Sequence, residues 1–234
     1  MTSTRVDRKY VLSEKVLEEL LFANRERWSL EAVAGLDVQH YETEYFDTAA
    51  LHLFHAARGK RPLRSKVRVR HYVDTASWFV EVKSRNARGE TTKVREPWTG
   101  SLIDAYPLLN ASMGASAKII NDLVPTARTA YQRTAAMIVG GGRMTIDRGL
   151  TVGAHAENSH ELFGEGSELV IVETKSPNQS PTPIDRWLWD RQIRPGSLSK
   201  YALAVASFRP DLPLNRWTNA ARRLRTEVTS GERV

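Results

Sequence analysis

The 234 residues contain no cysteine. That rules out disulfides and thiolate metal sites, and it fits a reducing compartment. No stretch approaches the roughly 20 apolar residues that a membrane-crossing helix needs. The first twelve residues, MTSTRVDRKYVL, are charged and hold no apolar signal core. The expectation is a soluble cytoplasmic protein, which would reach the inner face of a membrane only through a membrane-protein partner. Repeats of fixed period and low-complexity segments are also lacking. The six histidines (His40, His52, His55, His71, His155 and His160) show no ligand spacing, and His52 and His55 are placed near a turn. No Gly-Lys-Ser/Thr follows Gly140-Gly141-Gly142, so that run reads as a hairpin turn rather than a phosphate loop. Acidic residues are the minority charge, 27 against 34 Lys plus Arg, for a net charge of +7. That excess favours a polyanionic partner: nucleic acid, acidic lipid or phosphate chains.

The chain does have strands with charge on one face. In Arg64-Ser65-Lys66-Val67-Arg68-Val69-Arg70 the cations recur at every second position. Successive strand side chains point to opposite faces, so these cations share one face and the valines the other. The pattern recurs. Glu81, Lys83 and Arg85 alternate with Val80 and Val82, Lys93 and Arg95 flank Val94, and Arg133 falls in line with Tyr131. Thr145 and Asp147 alternate with Met144 and Ile146, and Glu173 and Lys175 with Val170 and Val172. Further strands are expected at Arg5–Leu12 and Tyr41–Asp47. Helices are expected from the Ser13 cap to about Arg27, over Leu102–Leu123 with breaks at Pro107 and Gly114, and over Ile184–Arg191 and Leu198–Phe208. Residues 153 to 166 read as a surface loop. About eight strands, mostly hairpin-linked, predict an α+β fold: an antiparallel β-barrel with flanking helices. The expected domain spans residues 1–208, followed by a basic tail over 209–234 with Arg216, Arg222, Arg223 and Arg225.

A solvated charged face is the ordinary explanation for any one such strand. A sheet of this many strands closes, however, and helices cover its apolar side, so the charged face points inward. Two like charges about 8 Å apart repel by roughly 2 kcal/mol at an effective dielectric of about 20. Several such pairs would rival a whole domain's stability of about 5–15 kcal/mol. The inward carboxylates Asp7, Glu81, Asp147 and Glu173 are too few to neutralise the cations. A water-filled tunnel that binds a polyanion resolves this. Arg64 and Lys66 are expected at its mouth or facing solvent. The alternation with carboxylates, and the lack of an aromatic stacking motif, make a nucleic-acid binder the weaker reading.

The ordered set Arg5-Val-Asp-Arg-Lys-Tyr10, Tyr45-Phe-Asp-Thr48, Lys66-Val-Arg-Val-Arg70, Phe79-Val-Glu-Val-Lys83, Lys93-Val-Arg95, Tyr131-Gln-Arg133, Thr145-Ile-Asp-Arg148, Val172-Glu-Thr-Lys175 and Ser199-Lys-Tyr201 resembles the VTC (vacuolar transporter chaperone) domain. That family is the polyphosphate polymerase branch of the triphosphate tunnel metalloenzymes. The resemblance implies a barrel tunnel that binds ATP and polyphosphate or triphosphate with a divalent cation, Mn²⁺ or Mg²⁺. It implies phosphate contacts from Lys9, Arg68, Arg70, Lys83, Arg133, Lys175 and Lys200. Lys93, Arg95 and Arg5 are further candidates, their register open by a residue or two. Glu173 would be the principal metal ligand, with Asp147 and Glu81 completing the shell. The wider superfamily often shows Glu-x-Glu-x-Lys on its first strand. Here Arg5-x-Asp7-x-Lys9 replaces one carboxylate by arginine, which favours gripping phosphate over a two-metal triphosphatase. A triphosphatase and a non-catalytic polyphosphate or phosphoinositide sensor are the alternatives.

Overall fold

A computed structural model of the chain describes residues 6–155, 160–161 and 169–222. Arg5, Arg223, Arg225 and most of the loop expected over 153–166 lie outside the described residues. Ten strands form one antiparallel sheet: β1 (Val6–Ser13), β2 (Trp28–Leu30), β3 (Val38–Asp47), β4 (Arg64–Tyr72), β5 (Ser77–Arg85), β6 (Thr91–Pro97), β7 (Val124–Ile138), β8 (Arg143–Ala154), β9 (His160–Glu161) and β10 (Leu169–Ser176). Among the described residues five α-helices accompany them: α1 (Glu14–Ala23), α2 (His52–Arg58), α3 (Tyr106–Met113), α4 (Pro183–Asp190) and α5 (Lys200–Phe208).

The strand order is β1-β10-β8-β7-β3-β4-β5-β6, with β2 beside β7 and β9 beside β8. The α+β class and the antiparallel sheet are as expected, but the barrel is not closed by hydrogen bonds, because β1 and β6 remain the ends of the order. Asp7 and Lys9 of β1 nevertheless line the same cavity as Lys93 of β6. The sheet therefore curls until its two edges approach.

Alternation decides which helix covers what. The outward residues Tyr10, Leu12, Ile146, Val170 and Val172 bury against Leu17 and Leu20 of α1 and Ile184 and Leu188 of α4. Val67, Val69, Val80 and Val82 bury against Leu108, Leu109 and Met113 of α3. Both α1 and α4 start at side-chain caps: Ser13 accepts from the Val16 amide, and Thr182 forms a reciprocal box with Asp185. Buried Asp185 also accepts from the hydroxyls of Tyr10 (2.7 Å) and Thr174 (2.6 Å), tying β1 and β10 to α4. Trp187 and Trp189 pack against this core.

The structure corrects or refines three sequence readings. The helix expected over Leu102–Leu123 is α3 followed by a 3₁₀ segment, Gly114–Asp122. Gly114 does interrupt it, at φ 54°, but Pro107 lies in the first turn of α3, where its missing N–H costs nothing. His52 and His55 lie on a helix, α2, whose first residue His52 follows the turn at residues 49–50. Buried Asp47 starts that helix, accepting from the Thr48, Leu53 and Phe54 amides, each at 2.8 Å, and from the Tyr201 hydroxyl at 2.6 Å. Finally, α5 does not flank the sheet from outside. It packs on the inner face, where Ala127, Leu150, Val152, Leu169 and Ile171 turn one half of the interior apolar. Ala202, Ala204 and Val205 fit against them. Trp217 and Ala220, in the segment expected as a basic tail, join this cluster.

Candidate active site

Cross-strand register stacks the inner side chains in rows. Lys66 of β4 faces Lys83 of β5, which faces Lys93 of β6, and the next row is Arg68, Glu81 and Arg95. On the opposite wall Lys9 faces Glu173 and Arg133 faces Asp147. The rows surround a chamber of about 220 Å³, below the roughly 300–1,000 Å³ typical of sites for drug-sized ligands. It suits a slim ligand. Lys9, Arg68, Arg70, Lys83, Arg133, Lys175, Lys200 and Lys93 all line it. Arg95 is not brought in: its guanidinium lies over Phe79, 4.7 Å from the ring centroid, and donates to the Tyr72 hydroxyl at 3.2 Å. Asp7, Glu81 and Glu173 also line the chamber, against nine cations.

The ninth cation is Lys66, expected at the mouth or facing solvent, whose side chain lines the chamber where an adjoining cavity begins. Its Nζ donates to Ser199 Oγ at 3.1 Å and lies about 6 Å from the Tyr45 and Tyr201 rings. Burial first, then the neighbouring Lys9, Arg68 and Lys83, push its pKa well below the ordinary lysine value. Lys83 and Lys93 are pushed the same way, again chiefly by burial. A polyanion in the chamber would relieve all three.

Two carboxylates are fully engaged in holding cations. Asp147 takes Arg133 bidentately, at 2.5 and 2.7 Å, and also accepts from Lys200. Glu81 takes Arg68 at 2.5 Å and Lys93 at 2.7 Å. Burial alone would raise both carboxyl pKa values. For Glu81 the field of Arg68 and Arg70 and the Lys93 bond overcome it and bring the value down to about 2. For Asp147, Lys200 and Arg133 drive it lower still. These forks fix where the cationic heads point.

Glu173 is different. Its contacts to Lys9 and Lys175 are 3.9 and 3.6 Å, beyond good hydrogen-bonding distance. Burial raises its pKa, but Lys9, Lys175, Arg133 and Lys200 together hold it below the ordinary value. It stays ionised and turned to the chamber. Among the described residues no three His, Cys, Asp or Glu side chains converge as a metal shell. Mg²⁺ and similar ions are commonly held by one or two carboxylates plus substrate phosphates. The residues present fit that arrangement with Glu173 as the protein's carboxylate. They do not fit a three-carboxylate shell, since Asp147 and Glu81 are already bonded to cations.

Sequence reasoning also missed four tyrosines. Lys200 lies 4.3 Å from the Tyr131 centroid, Arg133 sits 5.2 Å from Tyr131 and 5.6 Å from Tyr41, and Arg70 is 5.2 Å from Tyr41. With Tyr45 and Tyr201 these rings form an aromatic floor under the cations. For Tyr131 the available signal was its same-face spacing with Arg133, whereas Tyr45 meets Arg68 only through cross-strand register.

The crowding predicts a trade between stability and binding. Lys66→Met should raise the melting temperature, because it removes a half-buried charge from among like charges. Two like charges about 8 Å apart repel by about 2 kcal/mol at an effective dielectric of about 20, and each kcal/mol is worth about 2–4 °C in a chain of this size. A depressed lysine pKa costs stability below its folded value, and that cost fades as pH rises toward the ordinary lysine value of about 10.4. The gap between variant and wild type should therefore narrow from pH 7 to pH 10 in thermal melts. A variant that melts lower at pH 7 would show that Ser199 and the tyrosines hold Lys66 at a net gain.

A family model described as the VTC domain matches residues 4–209. The search of curated proteins finds no match. Among solved structures, a candidate adenylate cyclase from Bacillus halodurans aligns with a TM-score of 0.53 at 14% identity, covering 85% of this chain and 96% of the other. A candidate adenylate cyclase from Vibrio parahaemolyticus gives 0.49 at 12% identity, covering 85% and 96%. A Hippeastrum adenylyl cyclase candidate, described as revealing a dominant triphosphatase activity, gives 0.49 at 16% identity, covering 91% and 99%. The likeness to the Bacillus structure shows a shared fold.

Proposed function

We propose that this chain, which belongs to the VTC domain family, extends inorganic polyphosphate by accepting the γ-phosphoryl group of ATP inside its cationic chamber. The observation that carries this reading is the imbalance of the chamber wall: nine cations against three carboxylates, on a face that the fold encloses. Phosphoryl transfer depends on positioning and charge neutralisation more than on covalent help from the protein, and this wall offers both.

In this reading Arg68, Arg70 and Arg133 grip phosphate oxygens through their guanidinium forks, while Lys9, Lys83, Lys175 and Lys200 act as point charges. Lys66 and Lys93 add to that field. Asp147 and Glu81 act as positioning residues, aiming Arg133, Lys200, Arg68 and Lys93. Glu173 would hold a divalent cation, Mn²⁺ or Mg²⁺, shared with the substrate phosphates; such an ion supplies charge neutralisation on the phosphate oxygens. A terminal oxygen of the polyphosphate chain forms a bond to the γ-phosphorus. The bond from that phosphorus to the β–γ bridging oxygen breaks, and ADP leaves with the electron pair. No side-chain nucleophile is needed.

Pure protein incubated with ATP, Mn²⁺ and a polyphosphate primer should produce chains that exopolyphosphatase digests, together with ADP. Release of inorganic phosphate without chain growth would replace this reading by the triphosphatase. Binding and thermal stabilisation by polyphosphate with no turnover across metals would replace it by the sensor. Among the described residues no helix is long and apolar enough to cross a membrane.

A further inference from the structure

A second cavity of about 220 Å³ adjoins the chamber. Lys66, Lys83 and Ser199 line both, so the Lys66–Ser199 hydrogen bond stands at the partition between them. Beyond it the wall carries Arg64, Arg85 and Arg216. Among the described residues no carboxylate lines this space, unlike the central chamber. The three arginines act on one another: burial first, then Arg85 and Arg216, lower the pKa of Arg64, and burial and Arg85 lower that of Arg216.

The geometry also leaves donors unused. Arg216 spends one Nη on the Ala57 carbonyl at 2.9 Å, while its buried Nε has no partner. Arg64 gives one Nη to the Arg61 carbonyl at 2.6 Å. Buried guanidinium donors without partners are costly, and the cost falls when an anion enters. Arg216 comes from the segment after residue 209, where the family match ends. That segment is pinned, because Trp217 is buried beside Phe54, 5.9 Å between ring centroids, and Arg58 donates to the Pro213 carbonyl at 3.3 Å.

We propose that this vestibule is a second phosphate-binding site, which takes the phosphates of a linear polyphosphate that extend past Lys66 and Ser199. It makes the protein select for chain length: a triphosphate fills the central chamber alone, and a longer chain also engages Arg64, Arg85 and Arg216. The inference rests on reading the chamber as a phosphate-chain site.

The test is calorimetric titration of the full chain with tripolyphosphate and with a longer linear polyphosphate, at one ionic strength and without metal. The wild type should bind the longer chain about tenfold more tightly or better, since one charge-assisted hydrogen bond is worth about that factor. Arg85→Ser, at an exposed position on β5, and Arg216→Gln should each remove most of that difference and leave tripolyphosphate affinity unchanged. Equal affinity of the wild type for both lengths would overturn the vestibule and leave the chamber reading standing. So would variants that weaken both ligands alike. Failure of the wild type to bind tripolyphosphate would overturn the chamber reading, and the vestibule with it.

Discussion

Asp147→Asn should lower the melting temperature by about 6–20 °C. Asp147 is buried and is the shared partner of Arg133 and Lys200. Asparagine keeps the shape but removes the charge, leaving two buried cations without their counter-ion. Breaking a buried ion pair in this one-sided way costs about 3–5 kcal/mol, and each kcal/mol shifts a chain of this size by about 2–4 °C. A second readout separates this from ordinary misfolding. Tripolyphosphate should restore more of the melting temperature in the variant than it adds to the wild type, since the ligand replaces the missing negative charge. An unchanged melting temperature, or equal ligand shifts in both proteins, would sink the idea. The acid side follows from the same pair. With its folded pKa depressed, Asp147 contributes stability that is complete above the ordinary carboxylate range near pH 4 and is lost as pH falls through the folded value. The variant should lack that share of the acid sensitivity.

Glu173→Gln should lower metal-dependent turnover by at least about 100-fold, because even residues one step removed from a metal cost about 10–100-fold when changed. Its effect on binding should go the other way. Without metal, tripolyphosphate should bind the variant as tightly as the wild type or more tightly, since Lys9 and Lys175 lose the carboxylate that lies 3.9 and 3.6 Å away. Metal titration in the presence of tripolyphosphate should show weakened uptake. A variant that keeps its turnover, or that loses tripolyphosphate binding in the absence of metal, would remove Glu173 from the metal role and return it to a structural one.

Which side of each strand faces the chamber was legible in the sequence, because a period of two assigns faces without knowledge of the partners. Arg68, Arg70, Lys83, Arg133 and Lys175 were found that way. Depth along a strand was not legible. Lys66 shares a face with Arg68, yet only the inward α5, with Ser199 as its cap and Tyr201 two residues on, encloses it. The positioning role of Asp147 and Glu81 was hidden for another reason. Arg133 meets Asp147 and Arg68 meets Glu81 through cross-strand register, whereas the visible Glu-x-Lys spacings run along single strands. Short elements escaped as well. α2 begins at Leu51 in a left-handed conformation and is capped by Asp47, several residues upstream, so its start carries no local signature. The interior helix α5 reads as an ordinary apolar helix, since nothing in Lys200–Phe208 says which face of a sheet it will meet.

Under the proposed function, the unpaired edges bear on how a polymer gets in. No backbone ladder links β1 to β6 among the described residues, and across that gap β1 sets charges of both signs against Lys83 of β5: Lys9 repels it and Asp7 attracts it. A hydrogen-bonded seam would oblige a long chain to thread from one end. A seam without such bonds can part, and an anion between the edges relieves the repulsion of Lys9 and Lys83. A polyphosphate can then be laid in sideways, anywhere along its length, as a cable is pressed into a slotted conduit.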